Sequence, residues 1–373
     1  MSTTVHAAPV RYTPDLEKVS PDEAETIESL KASLLKIARI THEDSGHATR
    51  AVHAKSHALL RAELVVPAGL PPALAQGLFA VPGRYTVILR ISTSPGDILD
   101  DKVSTPRGVG IKVLNVLGER LPGSQGQSTQ DFLMVNGPAF LAPDAKGFSR
   151  SLKLLAATTD KAEGAKKVLS AALRGLETLV ESIGGESGAL KGLGGHPLTH
   201  PLGETYFTQV PILYGDYVAK LSLAPASPSL MALKDAPVDL DDQPNGLRRA
   251  VADFFTQQSG EWELRAQLCT DLDTMPIEDA SVVWPEDQSP HVVVGRLFVA
   301  QHAPVSDADI TMAEDALFFS PWNGLAAHRP LGSINRARKQ AYEASANFRA
   351  QHNGVTAAPS ASSVSRGCPV AHS

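Results

Sequence analysis

The sequence predicts an α+β protein built on a large antiparallel sheet or a closed β-barrel. Two observations carry this reading: eight short segments are rich in β-branched residues and bounded by glycine or proline, and few helical stretches separate them. The length of 373 residues allows one large domain or two ordinary ones, and 43% hydrophobic with 20% charged residues is the balance of a globular chain.

Residues 1–24 are polar and carry Pro9, Pro14 and Pro21, which predicts an extended arm. Ile27, Leu30, Leu34, Ile37 and Ala38 then recur at helical spacing, so a helix is expected over about 22–40. Strand candidates follow at 62–66, 85–93, 108–116 and 131–136, and again at 204–215, 217–225, 261–270 and 291–300. Helical patterning covers 146–185, interrupted around 158–160, and 245–257. The stretch 184–197 contains six glycines and one proline and reads as a mobile connector or flap. A last helix starts near 333–335 and runs to about 351, and the Ala-, Ser-, Val- and Pro-rich tail over 352–373 predicts disorder. No internal repeat is seen, so a single domain is expected over 25–351.

The 34 basic and 40 acidic residues give a formal charge of -6, which advertises no nucleic-acid partner. No apolar run reaches the roughly 18 residues that a membrane span needs. The first residues lack a basic region followed by an apolar one, so no secretory signal is read and a cytoplasmic location is expected. Cys269 and Cys368 are the only cysteines; they cannot build a metal cluster alone, and a disulfide between them stays open.

Three constellations bear chemistry. RAVHAKSHA (50–58) is a basic, histidine-bearing segment directly before a strand, which alone reads as solvated. Arg90 interrupts the otherwise apolar strand YTVILRIST, where a charge is costly unless it meets an anion, a buried salt bridge being one alternative. On period-2 alternation Arg90 and Ser92 share a face. In NRARKQAYEASANFRA (335–350), Arg338 precedes Tyr342 by four residues and Arg349 follows it by seven. These offsets turn through about 400° and 700°, so all three share one helix face. An Arg one turn before a Tyr can donate to the phenolic oxygen and favour its ionised form, which a tyrosinate ligand for ferric iron requires.

Taken in order, RAVHAK, RIST, PRGVGIKV (106–113), DFLMVNGPAFLAPDAKGF (131–148), VVWP (282–285) and RKQAYEASANFR (338–349) resemble the motifs of haem catalases. The likeness is greater to the small catalase-related haem peroxidases that lack the C-terminal domain of full-length catalases, and it spans roughly residues 25 to 350. The resemblance implies a closed antiparallel barrel of about eight strands with surrounding helices, holding haem b. Tyr342 matches the proximal iron ligand, and Arg338 the arginine that keeps that phenolate ionised. Arg50, Arg90 and Arg349 match the arginines that pair with the haem propionates. His53 matches the distal acid–base histidine, Ser92 the serine that orients it, and Val52 and Phe148 apolar residues on the distal face.

One departure bears on activity. The family places two asparagines before its distal proline turn, whereas here the stretch is Met134-Val135-Asn136-Gly137-Pro138. Either Asn136 serves as the distal catalytic amide after a one-residue shift, or Val135 occupies that position and the amide is missing. The resemblance therefore implies a haem peroxidase that uses hydrogen peroxide or organic hydroperoxides to oxidise a small organic reductant, with weak or moderate catalase activity. The alternatives are a fatty-acid hydroperoxide isomerase or lyase of the allene oxide synthase kind, which would make a lipid hydroperoxide the partner, and a non-catalytic haem-binding barrel. Family members are often homo-oligomers. No motif matches the NADPH site of some full catalases, and the Cys368-Pro369 pair resembles a haem-sensing motif but reads as well as a free surface thiol.

Overall fold

In the computed structural model, which describes residues 7–158 and 197–354, four strands form an antiparallel meander: β1 (Ser56–Val66), β2 (Gly83–Thr93), β3 (Arg107–Val113) and β4 (Gln130–Val135). β5 (Tyr206–Phe207), β6 (Ile212–Tyr214), β7 (Tyr217–Pro225), β8 (Gly260–Leu268) and β9 (Val292–Val299) follow, and β9 returns to pair with β1. β5 pairs with both β4 and β7, so the sheet closes into an eight-stranded barrel, with β6 paired further along β7. This is the expected α+β closed barrel.

Alternation assigns the two faces of the wall. Val87, Leu89 and Ile91 of β2, Val109, Ile111 and Val113 of β3, and Leu264 and Ala266 of β8 join one buried apolar cluster inside the barrel. On the outside the strands differ. β9 alternates between buried and solvent-facing positions, with Phe298 41% exposed. β3 is buried along its whole length. The difference arises because Leu59 and Ile88 pack outward against Ala313, Leu317 and Phe319, which cover the β1–β4 half.

Around the barrel lie α1 (Glu23–Ser45), α2 (Ala145–Thr158), α3 (Gly246–Gln257), α4 (Asp307–Ala316) and α5 (Gly332–Asn353). α1 buries Leu30, Leu34, Ile37 and Ala38 against Ala337, Ala341 and Phe348 of α5 and Ala145 and Leu152 of α2. Ala337 and Ala341, one turn apart, present a flat stripe that lets α1 approach α5 closely. The extended arm is pinned to its own chain: Val10 N donates to Cys269 O and Tyr12 N to Asp216 O, both at 2.8 Å. No helix among the described residues is long and apolar enough to cross a membrane.

Three elements differ from expectation. β1 starts at Ser56 rather than near 62, because pairing with β2 from Ser92 onward supports residues of modest strand propensity. The segment 204–215 is not one strand: Gln209 takes φ 61°, its amide donates to Gly137 O (3.0 Å) and Ala139 O (2.6 Å), and Pro211 has no N–H to continue a ladder. α4 was not expected, since only Ile310 and Ala313 are buried and its apolar period is weak; Ser306 caps it by accepting from Asp309 N at 3.1 Å. Cys269 is a buried free thiol. Cys368, the tail from 355, the glycine-rich connector up to 196 and the helical patterning beyond 158 lie outside the described residues.

Candidate functional site

Three strands supply a floor on the outer face of the barrel. Ser92, Gly108 and Val135 sit in one row across β2, β3 and β4, and Arg90, Gly110 and Leu133 form the next row on the same face. Glycine at both central positions leaves a trough, and His53 lies in it: a Cβ on Gly108 would be 2.5 Å from His53 Cε1 and 2.7 Å from Nδ1. His53 precedes β1 in a tight connection with φ 54°. Its N–H donates to Ser94 O at 2.7 Å, and its carbonyl accepts from Arg90 Nη2 at 2.8 Å. A left-handed conformation costs a non-glycine residue about 1 kcal/mol or more, so these two bonds hold the backbone against its own preference. His53 Nδ1 is 3.2 Å from Ser92 Oγ, while Nε2 has no hydrogen-bond partner among the described residues.

α5 supplies the second wall. Arg338, Ala341, Tyr342, Ser345, Ala346 and Arg349 fall on one helical stripe and all line the same cavity. Arg338 Nη2 donates to Tyr342 Oη at 3.1 Å, and its Nη1 donates to Asn335 Oδ1 at 3.3 Å. Asn335 is itself fixed, its amide donating to Pro211 O (3.0 Å) and Leu331 O (3.1 Å). The guanidinium is therefore aimed at the phenol before any ligand is considered. Val52, Leu133, Val135, Phe318 and Phe319 make much of the remaining cavity wall apolar.

The electrostatics are one-sided. Among the described residues the wall carries Arg50, Arg90, Arg338 and Arg349 and no acidic side chain. Behind it, Arg90 Nε donates to both carboxylate oxygens of Glu314 (2.7 and 2.9 Å), and Arg50 forms an ion pair with the same carboxylate. Burial pushes the Glu314 carboxyl up, but Arg50 and Arg90 outweigh it and hold it down at about 2. Arg50 also donates to Leu317 O at 2.9 Å, and Arg349 donates to Glu314 O (3.0 Å) and Leu317 O (3.2 Å). Arg349 is buried, and its Nε has no hydrogen-bond partner among the described residues. Burial, then the fields of Arg90, Arg338 and Arg50, push the His53 imidazole down to about 3, so it is neutral near pH 7.

Of the residues expected at the site, Arg50, Val52, His53, Arg90, Ser92, Arg338, Tyr342 and Arg349 meet at this cavity. Asn136 and Phe148 do not line it. Asn136 Oδ1 accepts from Arg107 N at 2.7 Å and its amide donates to Glu204, which places its side chain beside those groups and leaves Val135 next to Gly108 on the cavity face. Phe148 packs edge-on against Phe140, ring centroids 4.9 Å apart. The acid expected as one alternative at Arg90 is Glu314, which sequence reasoning did not find. Ser306 three residues before Asp309, followed by Ile310, Ala313 and Leu317 at helical spacing, was the available signal for the helix that carries it. The floor glycines were also missed; their spacing of two within a strand put Gly108 and Gly110 on one face.

No family model matches the chain, and no curated protein matches it. Solved structures do. Catalase A from Saccharomyces cerevisiae aligns with 100% of this chain and 70% of its own, at 13% identity and TM-score 0.58. A fungal catalase aligns with 100% of this chain and 68% of its own, at 15% identity and TM-score 0.60. A bacterial catalase aligns with 99% of this chain and 66% of its own, at 15% identity and TM-score 0.56. At these identities the likeness is one of fold: the chain is a closed eight-stranded antiparallel barrel with helices, of the catalase type.

Proposed function

We propose that the protein is a haem-dependent peroxidase that uses hydrogen peroxide or organic hydroperoxides to oxidise a small organic substrate, with weak catalase activity, its haem domain spanning 25–351. The observation that carries this reading is the meeting, at one cavity, of a neutral histidine tied to Ser92, a tyrosine with an arginine aimed at its phenol, and three further arginines. The residues fit haem b. Two propionates would answer an arginine-lined wall without an acid, and the orphaned Arg349 Nε is a buried donor in want of an anion. Tyr342, with Arg338 aimed at its phenol, would hold the haem iron, and the arginines would hold the propionates.

Haem bound there would supply the redox chemistry that follows cleavage of the peroxide O–O bond. The chain's part is to move one proton. His53, neutral near pH 7, accepts the proton from the peroxide oxygen that binds and delivers it to the oxygen that leaves, worth about 10²–10⁴-fold in rate. Ser92 holds the ring orientation through Nδ1 and leaves Nε2 for the peroxide. Arg338 donates to the phenol oxygen of Tyr342 and orients it. Val135 offers a second peroxide no hydrogen bond, which disfavours dismutation more than oxidation of an organic reductant.

The apolar wall of Val52, Leu133 and Val135 favours a second reading, rearrangement of a fatty-acid hydroperoxide by the same histidine and tyrosine. The product separates the two, since rearranged lipid would form without consumption of a reductant. The deciding experiment is an absorption spectrum of the haem-supplied protein beside Tyr342→Phe. A high-spin ferric spectrum that collapses or shifts in the variant is expected; no haem band in either protein would sink the reading.

A further inference from the structure

Arg50 and Arg90 share the carboxylate of Glu314 and Arg349 donates to its main-chain carbonyl, and the placement of this residue at the end of α4 goes beyond packing. Glu314 takes two bonds from Arg90 Nε (2.7 and 2.9 Å), the ion pair from Arg50, and a hydrogen bond from the Ser56 hydroxyl. Its own carbonyl and that of Leu317 accept from Arg50 and Arg349, so the negative end of the helix also faces the arginines. The next acid, Asp315, bonds to His47 at 2.9 Å and Asn353 at 3.1 Å, and its charge reaches Arg349 without a direct bond. Among the described residues Glu314 is the one carboxylate in direct contact with these guanidiniums, and three positive charges against it leave two in the buried cluster. Arg338 is a separate matter, because it is aimed at Tyr342.

Resting on the haem reading above, we propose that Glu314 is a resident counter-anion that trims the arginine cluster to a charge of two, the charge of the two propionates it would meet. It is a positioning residue. Its carboxylate fixes the guanidinium directions and keeps three buried like charges tolerable when no ligand shares them, at the expense of some attraction for the incoming carboxylates. With Glu314 in place the loaded cluster is neutral. Without it, the haem-free chain carries three buried positive charges and the loaded one carries one.

Glu314→Gln keeps the shape and removes the charge. In the full chain, the haem-free variant should melt well below the haem-free wild type, and loading with haem should recover much of the loss. Release of haem to apomyoglobin, followed by absorbance, should slow by about tenfold, because each propionate faces one more positive charge. The double variant Arg50→Gln/Glu314→Gln restores the cluster charge and should recover most of the haem-free melting temperature. Unchanged melting of the haem-free Glu314→Gln protein, or faster haem release from it, would overturn the proposal. A wild-type chain that takes up no haem sinks the haem reading; a wild type that holds haem beside a variant that loses it faster sinks the role of Glu314 alone.

Discussion

Gly108→Ala is the sharpest test of the distal geometry. The added methyl would sit 2.5 Å from His53 Cε1, 2.7 Å from Nδ1 and 3.4 Å from Met134 O. Carbon contacts are comfortable only at about 3.5–4.0 Å, so the ring must move by roughly 1 Å. The φ of Gly108 is not positive, so the backbone accepts alanine and the strain falls on the imidazole. The Ser92 contact already stands at 3.2 Å and would be lost with that shift. A misplacement of about 1 Å in a catalytic group costs on the order of 10²-fold in rate, and overpacking destabilises by about 1–3 kcal/mol. Haem uptake should be retained, since Arg338, Tyr342 and the arginine cluster do not touch Gly108. The assay is steady-state peroxide-dependent dye oxidation, with the haem spectrum as control for loading. Gly110→Ala serves as comparison, because its methyl would meet the edge of Phe319 at 3.1 Å and leave His53 alone. A Gly108→Ala protein with intact haem and wild-type kcat/KM would refute the assignment of His53 as the proton carrier.

Two further outcomes follow from the geometry. Val135→Asn places an amide beside Gly108 on the cavity face, and the ratio of oxygen evolved from hydrogen peroxide to dye oxidised should rise about tenfold or more; an unchanged ratio tells against the missing amide as the cause of weak dismutation. Acid should destabilise the fold early. Burial pushes His53 to about 3 and His200 and His328 to about 4, and lowers His57 as well, so the unfolded chain binds more protons than the folded one below about pH 6.5. Their stabilisation is full above that pH and is lost as pH falls toward 4, by up to about 1.4 kcal/mol per histidine per pH unit. Asp101 and Asp131, pushed up by burial, offset part of this. The urea midpoint should drop between pH 7 and 5, and a flat midpoint would contradict the burial of these rings.

Strand alternation and glycine or proline boundaries were enough to place every stave of the barrel, because those signals are local. The helix stripe of Arg338, Tyr342 and Arg349 was legible for the same reason. What escaped was decided across the chain. Whether Asn136 or Val135 faces the cavity depends on the register that puts Val135 opposite Gly108, and that register belongs to two strands at once. Glu314 looks like any surface acid in the run Met312-Ala313-Glu314-Asp315, and only the docking of a short, weakly amphipathic helix onto Leu59 and Ile88 turns it inward. The break at Gln209 likewise rests on carbonyl groups of Gly137 and Ala139, about 70 residues earlier.

The outer face of β9 meets water while that of β3 is covered, and this divides the mutational tolerance of the two strands. Outward positions of β9, such as Phe298 and Val292, answer mainly to solvent and accept polar replacements at little risk to the fold. The matching positions of β2 and β3, Arg90, Ser92, Gly108 and Gly110, answer to a cavity and to one another, so even a methyl group there is a change of function. Variation among descendants of this chain should therefore gather on the outer face of β9 rather than on that of β2 and β3, although all three are built from the same strand pattern.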